Sequence, residues 1–335
     1  MEEKYSDINL YFDEGQHKYT DSLGNNYISV TTIIHNYVPE FDEKYWLRRK
    51  AKEQKVSEKE IKRQWDKIKD EACNRGTITH NGLEDAIKET SKFKNAIKYL
   101  RQTEGRVITV ADVPLLIPTP LDIDKFIEAT NNKYSEIYRV FEYYTAQNYT
   151  IYSEIGVFNP ELLISGTIDL FLVRPSDFVI LDWKTNRDGL KFESGYYKKD
   201  KTTFPNQLTN EWVRKYEYML PPLNCLENCN GMHYSLQLSM YARLAEMILG
   251  IPCTGLGLCH IASPFILNGY GQPLRDKDGY HIDPYGEETV QWYRIEYLKK
   301  EVESIFHDRT LEVRSMKKPE QLTMFDDGQF MGQMS

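Results

Sequence analysis

Several features are scarce or missing in this chain, and each shortage removes a class of protein. No run approaches the ~20 consecutive apolar residues of a membrane-spanning helix, and the opening MEEKYSDINLYF lacks the basic stretch followed by an apolar one that marks a secretory leader. Cysteine is sparse: five in 335 residues, with Cys225 and Cys229 close together and Cys73, Cys253 and Cys259 scattered, a distribution unlike a disulfide framework. Positive charge is not in excess either, and a formal net charge of −8 argues against indiscriminate binding to polyanions. No internal repeat is visible. These absences lead us to expect a cytoplasmic protein with reduced thiols and no membrane association.

What is present suits a folded domain. With 41% hydrophobic and 27% charged residues and 24 tyrosines, the chain is ordinary for a globular protein but rich in aromatics. At about 150 residues per domain its length suggests one or two domains, and we expect one large, elaborated one. The residues GQHKYTDSLGNNYISVTTII alternate aromatic and polar side chains around a turn, as a hairpin does, and Ser29 is placed to cap a helix running to Val38. DEKYWLRRKAKEQ and SEKEIKRQWDKIKDEACNRG read as helices, the second with Ser57 as N-cap and Glu60 completing a capping box. TITHNGLEDAIKET follows directly and also reads as a helix, with Ile78, Leu83 and Ile87 in helical register. DIDKFIEATNNKYSEIYRVFEYYTAQN is expected as one long amphipathic helix with Phe126, Ile127, Tyr134, Ile137, Tyr138 and Phe141 on its apolar side.

The pattern then changes. YTIYSEIGVF, LISGTIDLFLV and FVILDWKT are consecutive strands rich in β-branched and aromatic residues. A loop-like insertion runs from about 189 to 231, followed by the helix HYSLQLSMYARLAEMILG, the strands CTGLGLCHIA and TVQWYRIEYL, and a last helix KKEVESIFHDR. The expected class is α/β, a central mixed β-sheet flanked by helices, with an N-terminal hairpin and helical arm. Three parts are expected: 1–75, the hairpin and basic arm packed on the core; 76–314, the core with its insertion; and 315–335, a flexible tail.

The two central strands carry acids where core residues belong. Pro175 at the second position of RPSD favours a type I turn, and a loop from Arg174 to Asp177 pairs Val173 with Phe178 and, in register, Asp169 with Asp182. Opposed carboxylates have Cβ atoms about 5 Å apart and destabilise a sheet unless a cation lies between them. Strand alternation brings Lys184 to the same face as Asp182. Two carboxylates can hold a hard divalent cation, and a lysine beside a water on that cation makes a site for the water's attack on a phosphodiester; a salt-bridge cluster near a strand end has the same spacing.

GTID followed thirteen residues later by DWK resembles the PD-(D/E)-x-K nuclease motif in the form found in RecB-type nuclease domains and their phage relatives. Upstream, RGTITHNGLE is similar to that family's histidine-bearing helix, here with His80 and, one turn on, Glu84. Downstream, QLSMY is similar to its Q-x-x-x-Y helix, here Gln237 and Tyr241. The resemblance covers roughly 70–265, and HKYTD…YISVTTII is similar to the opening of phage and mitochondrial genome maintenance exonucleases. Ile168 stands where the motif's name has proline, as is usual among RecB-like members.

The resemblance implies a restriction-endonuclease-like core and a metal-dependent DNA exonuclease working in recombination, repair or replication. His80, Asp169, Asp182 and the Trp183 backbone carbonyl would hold Mg²⁺ or Mn²⁺. Asp169, Asp182, Lys184, Gln237 and Tyr241 would be catalytic, with Lys184 positioning and helping to deprotonate the attacking water. Glu84 and Glu154 would support them. Some relatives hold an iron–sulfur cluster, but the cysteine spacing here does not follow their pattern. A resolvase-like endonuclease and a catalytically inactive DNA-binding or clamp-associated protein stand as alternatives.

Charge is uneven along the chain. Between Lys44 and Arg75 twelve Lys or Arg face six Asp or Glu, and between Lys184 and Lys201 six face three. Arg48, Arg49, Lys62, Arg63, Arg75 and Arg187 are the expected contacts to DNA phosphates, with Trp46, Trp65 and the tyrosines around Tyr196 available to stack on unpaired bases. In the tail, QLTMF resembles the peptide that docks bacterial replication proteins on the sliding clamp, with Gln321, Leu322, Met324 and Phe325 as its contacts.

Overall fold

The apolar runs expected as strands form the middle of one mixed sheet. The computed structural model of the chain describes residues 8–13, 15–16, 18–90, 106–115, 121–276 and 279–316. The clamp-like peptide with Gln321, Leu322, Met324 and Phe325 lies outside the described residues.

The chain opens with β1 (Leu10–Asp13), β2 (Lys18–Asp21) and β3 (Asn26–Ser29), an antiparallel meander. The Ser29 hydroxyl accepts the Thr32 N–H at 3.1 Å and starts the short helix α1 (Val30–His35). Helix α2 (Glu43–Gln54) is capped by Asp42. Ser57 caps α3, where its hydroxyl accepts the Glu60 N–H at 3.1 Å, while the Glu60 carboxylate turns to Arg63. The two segments read separately around residue 76 form one continuous helix, α3 (Glu58–Thr90), so the arm and the core share an element. Gly76 lets that helix lie close to the sheet: a Cβ there would stand 3.3 Å from the Thr185 hydroxyl.

Two expectations are corrected. The long amphipathic helix is instead α4 (Ile123–Ala129) and α5 (Ser135–Ala146). Asn131 and Asn132 between them sit at φ 55° and 54°, a left-handed conformation that asparagine tolerates better than most residues and that no helix continues through. Thr130 closes the break by hydrogen bonding to the Phe126 carbonyl at 2.8 Å and to the Tyr138 hydroxyl at 2.7 Å. The insertion is not merely a loop. It folds a separate hairpin of β7 (Gly195–Asp200) and β8 (Gln207–Arg214), whose short, charged strands lack the apolar alternation that marks a half-buried one.

The central meander is β4 (Thr150–Asn159), β5 (Ile164–Arg174) and β6 (Asp177–Lys184). After the insertion come α6 (Asn230–Leu249), β9 (Cys253–Ala262) parallel to β6, a small β10 (Arg275–Asp276) and β11 (Gly279–Tyr280) ladder, β12 (Thr289–Ile295) antiparallel to β9, and α7 (Lys299–Met316). The sheet order is β1-β2-β3-β5-β6-β9-β12, with β4 on the other edge of β5. Both faces are covered. Ile180, Phe171 and Leu258 pack with Leu238, Leu244 and Val302 of α6 and α7, and Leu172, Leu181 and Trp183 pack with Leu83, Phe126 and Phe141 of α3, α4 and α5. No helix among the described residues is long and apolar enough to cross a membrane.

Candidate metal centre

The site exists because two strands part. The β5–β6 ladder runs in the expected register from Arg174–Asp177 to Leu170–Leu181, which makes Asp169 and Asp182 the next opposed pair. There the backbone pairing stops. The Trp183 N–H donates instead to the Asp169 carboxylate, at 3.1 Å. Beyond that point the same edge of β5 is taken by β3, with Ile28 opposite Ile164 and Ser29 opposite Ser165. The gap between β6 and β3 is where the acids gather.

A second irregularity lies on the other edge. Ser153 faces Leu170 and Ile155 faces Ile168, so Glu154 stands opposite Asp169. Glu154 has φ 55°, a conformation a side chain adopts at a cost of about 1–3 kcal/mol. Strand alternation changes phase at this level. Tyr152 and Ile155 face the same core, as do Ile168 and Phe171, although neither pair is two residues apart. The kink turns Glu154 and Asp169 to one place. His80, on α3, meets them there: its Nδ1 lies 3.5 Å from Asp169 Oδ2. One ligand atom from each of His80, Glu154 and Asp169 falls within 4.8 Å of the others, a group able to hold a metal ion.

Trp183 anchors the arrangement. Its indole is buried between Phe141 and Trp292, with ring centroids 6.3 Å and 6.1 Å away. With the side chain fixed, its N–H points to Asp169 and its carbonyl hydrogen bonds to His80. Helix α3 is held in place one and a half turns earlier by Arg75, whose guanidinium donates to the Thr185 carbonyl (3.3 Å), the Ile261 carbonyl (3.1 Å) and Glu288 (3.2 Å). Arg75 therefore ties the histidine helix to the ends of β6 and β9.

Asp182, 1% exposed, pairs with Lys184. Burial, and then the neighbouring charge of Asp169, push its carboxyl up to about 7 despite the pull of Lys184 and His80. Burial likewise raises Asp169, against Lys184 and the Trp183 N–H. Each buried carboxylate opposes the ionisation of the other, so the acids cannot both ionise freely as they stand. Burial pulls the His80 imidazole below its ordinary range, which favours the neutral form that ligates metals. Burial also pulls at Lys184, but Asp182 and Asp169 outweigh it and hold the ammonium above its usual range.

Helix α6 closes the other side. Tyr241 is buried against Gly166 of β5, where any Cβ would stand 2.5 Å from its ring. Its hydroxyl accepts from the Gln237 amide at 3.2 Å, and the charges of Asp182 and Asp169 reach it. Sequence reasoning missed Tyr234, whose ring lies 4.4 Å beneath the Lys184 ammonium and whose hydroxyl bonds Asn186 at 2.9 Å. The signal was present: residues 234, 237 and 241 share one helical face. Tyr19 was also missed; it bonds Thr167 at 2.9 Å and feels the Glu154 charge.

The remaining residues singled out from sequence divide by position. Glu84 pairs with Lys88 along α3 and does not belong to the ligand group. Lys62 pairs with Glu43 (2.7 Å) and Asp66 (3.3 Å), and Arg63 with Glu60 (2.7 Å); Arg48 lies 3.9 Å from Glu58. Arg49 and Arg187 line a cleft of about 840 Å³ between α2 and the β7–β8 hairpin. No family model, curated protein or solved structure matches the chain.

Proposed function

We propose that the chain is a metal-dependent deoxyribonuclease, and that it works from DNA ends as an exonuclease. The observation that carries this reading is the gathering of His80, Glu154 and Asp169 within 4.8 Å at the parted end of β5 and β6, beside the Asp182–Lys184 pair. The donor set fits a hard divalent cation such as Mg²⁺ or Mn²⁺: it is oxygen-rich with one imidazole, and its crowded carboxylates are those that a bound cation would relieve.

His80, Glu154 and Asp169 would hold the ion, with Asp182 and the Trp183 carbonyl completing its surroundings. When bound, the ion would polarise a phosphoryl oxygen and ease ionisation of the attacking water. Lys184 acts as a donor. Asp182 and Asp169 keep it charged, so it orients water and faces the negative charge that develops on the phosphoryl group rather than removing a proton. The Tyr234 ring and Asp182 fix the ammonium from two sides. Tyr241, which the charges of Asp182 and Asp169 reach, would present its phenol to the same gap, with the Gln237 amide donating to its hydroxyl.

The test is hydrolysis of end-labelled linear DNA, single- and double-stranded, beside closed circles, with Mg²⁺ or Mn²⁺. We expect linear forms to be degraded with label released early from one end, circles to survive, and Lys184→Ala to be silent. Absence of hydrolysis with either metal, or equal rates from the Lys184→Ala preparation, would refute the proposal.

A further inference from the structure

The cleft that takes in Arg49 and Arg187 lies outside the metal centre. One wall is α2, bearing Trp46, Arg49 and Lys50; the other is the β7–β8 hairpin with the segment that leads into it. Seven lysines and arginines line it against only Glu53 and Asp188, a local reversal in a chain of net charge −8. Lys50, Lys199 and Arg275 lie close enough that, after burial, the other two charges push the Lys199 ammonium below its ordinary range. Such crowding of like charges is relieved by a polyanion.

The cations alternate with aromatic faces. Lys191 lies 4.8 Å from the Tyr197 ring and 5.5 Å from that of Trp212, and these two rings meet edge to face at 5.0 Å. Arg187 stacks 4.5 Å from Tyr280, and Arg49 5.0 Å from Trp46. Gly195 makes room for this wall: a Cβ there would stand 2.6 Å from the Trp212 indole. Flat rings interleaved with cations bind bases whose faces are free, and in a duplex those faces are covered by neighbouring pairs. A volume of about 840 Å³ lies within the ~300–1,000 Å³ of pockets that enclose small molecules, a size for a few nucleotides of one strand.

Chain neighbours and hydrogen bonds tie the cleft to the metal centre. Arg187 follows Lys184 by three residues, and Asn186 between them bonds Tyr234, the ring beneath the Lys184 ammonium. Asn230 lines the cleft, accepts the Lys191 N–H at 2.8 Å and begins α6, the helix of Tyr234, Gln237 and Tyr241.

We infer that this cleft is a binding site for an unpaired nucleic-acid strand, which it holds by phosphate pairing and base stacking and leads toward the carboxylates. That the strand is then cut rests on the nuclease reading; that the cleft binds it does not.

The two are separated by measuring binding in EDTA and hydrolysis in Mg²⁺. In EDTA, the full chain should bind a fluorescein-labelled thymidine 20-mer at least tenfold more tightly than a blunt hairpin duplex of the same charge. Tyr196→Ala, a change at an exposed ring of the cleft, should weaken the 20-mer about fivefold or more, as loss of one base–aromatic stack does. Lys191→Gln with Lys199→Gln should lower the slope of log affinity against log salt by about 1.4, two phosphates at ~0.7 each. Equal affinity for duplex and single strand, or unchanged binding in both variants, would overturn the assignment whatever the hydrolysis assay gives. Tight, cleft-dependent binding without hydrolysis would instead refute the nuclease reading and leave the cleft standing.

Discussion

Replacing Asp182 by asparagine should stabilise the metal-free protein while removing its response to metal. The Asp182 carboxyl ordinarily ionises at 3.8; in the folded chain burial and the Asp169 charge raise it to about 7. An acid raised on folding favours the folded state below its unfolded value and loses that advantage as pH climbs through the folded one. Without metal, stability should therefore fall between about pH 4 and pH 7. Above that window the ionised side chain costs at most about 4 kcal/mol, at 1.36 kcal/mol per pH unit between the two values. Over 335 residues, at about 2.1 cal/mol/K each, this ceiling is a rise of about 6 °C in melting temperature for Asp182→Asn at pH 8. Metal narrows the gap. At a hundred times its dissociation constant a divalent ion adds about 2.7 kcal/mol to the wild-type protein, and it should add little to the variant. The assay is thermal unfolding in EDTA and in saturating Mg²⁺ or Mn²⁺, at pH 5 and pH 8. If Asp182→Asn melts below wild type in EDTA at pH 8, the opposed carboxylates are not a burden on the metal-free fold, and the reason given for a cation between them fails.

Other perturbations test the scaffold. Trp183→Ala empties a fully buried site between Phe141 and Trp292 and should cost about 3–5 kcal/mol in a denaturant titration, with metal-induced stabilisation lost in the same sample. At Glu154, with φ 55°, glycine should be more stable than alanine by about 1 kcal/mol, the reverse of their order in a regular strand; chemical unfolding of the two variants decides it. Arg75→Ala strips donors from the Thr185 and Ile261 carbonyls and from Glu288 and should cost about 2 kcal/mol. Lys133, Arg75 and Tyr134 together hold the Glu288 carboxyl below its usual range against the effect of burial. Their support should be present above about pH 4.3 and fade as pH falls through the lower folded value, visible as a shallower acid limb in Arg75→Ala melts.

Much of the meander was legible because its strands carry long apolar runs bounded by a turn with proline at the position that favours it, and a hairpin register follows from such a turn. Asp169 and Asp182 could be placed as the next opposed pair from Val173 and Phe178 alone, and β5–β6 keeps that register to the last pair before them. What register cannot express is the parting of strands. The Trp183 N–H turns from a backbone carbonyl to a carboxylate, and the phase of two strands changes at Glu154 and Asp169; both depend on side chains that look ordinary in a string of letters. Glu154 therefore read as a support at most, although its carboxylate stands in the ligand group with His80 and Asp169. The β7–β8 hairpin was missed for a related reason: its residues are held by one another, Trp212 against Tyr197 and Gly195, rather than by an apolar face toward the core. Local chemistry fixed the strands and helix caps, while the metal centre and the cleft depend on where separate elements stop pairing, which is a property of the tertiary fold.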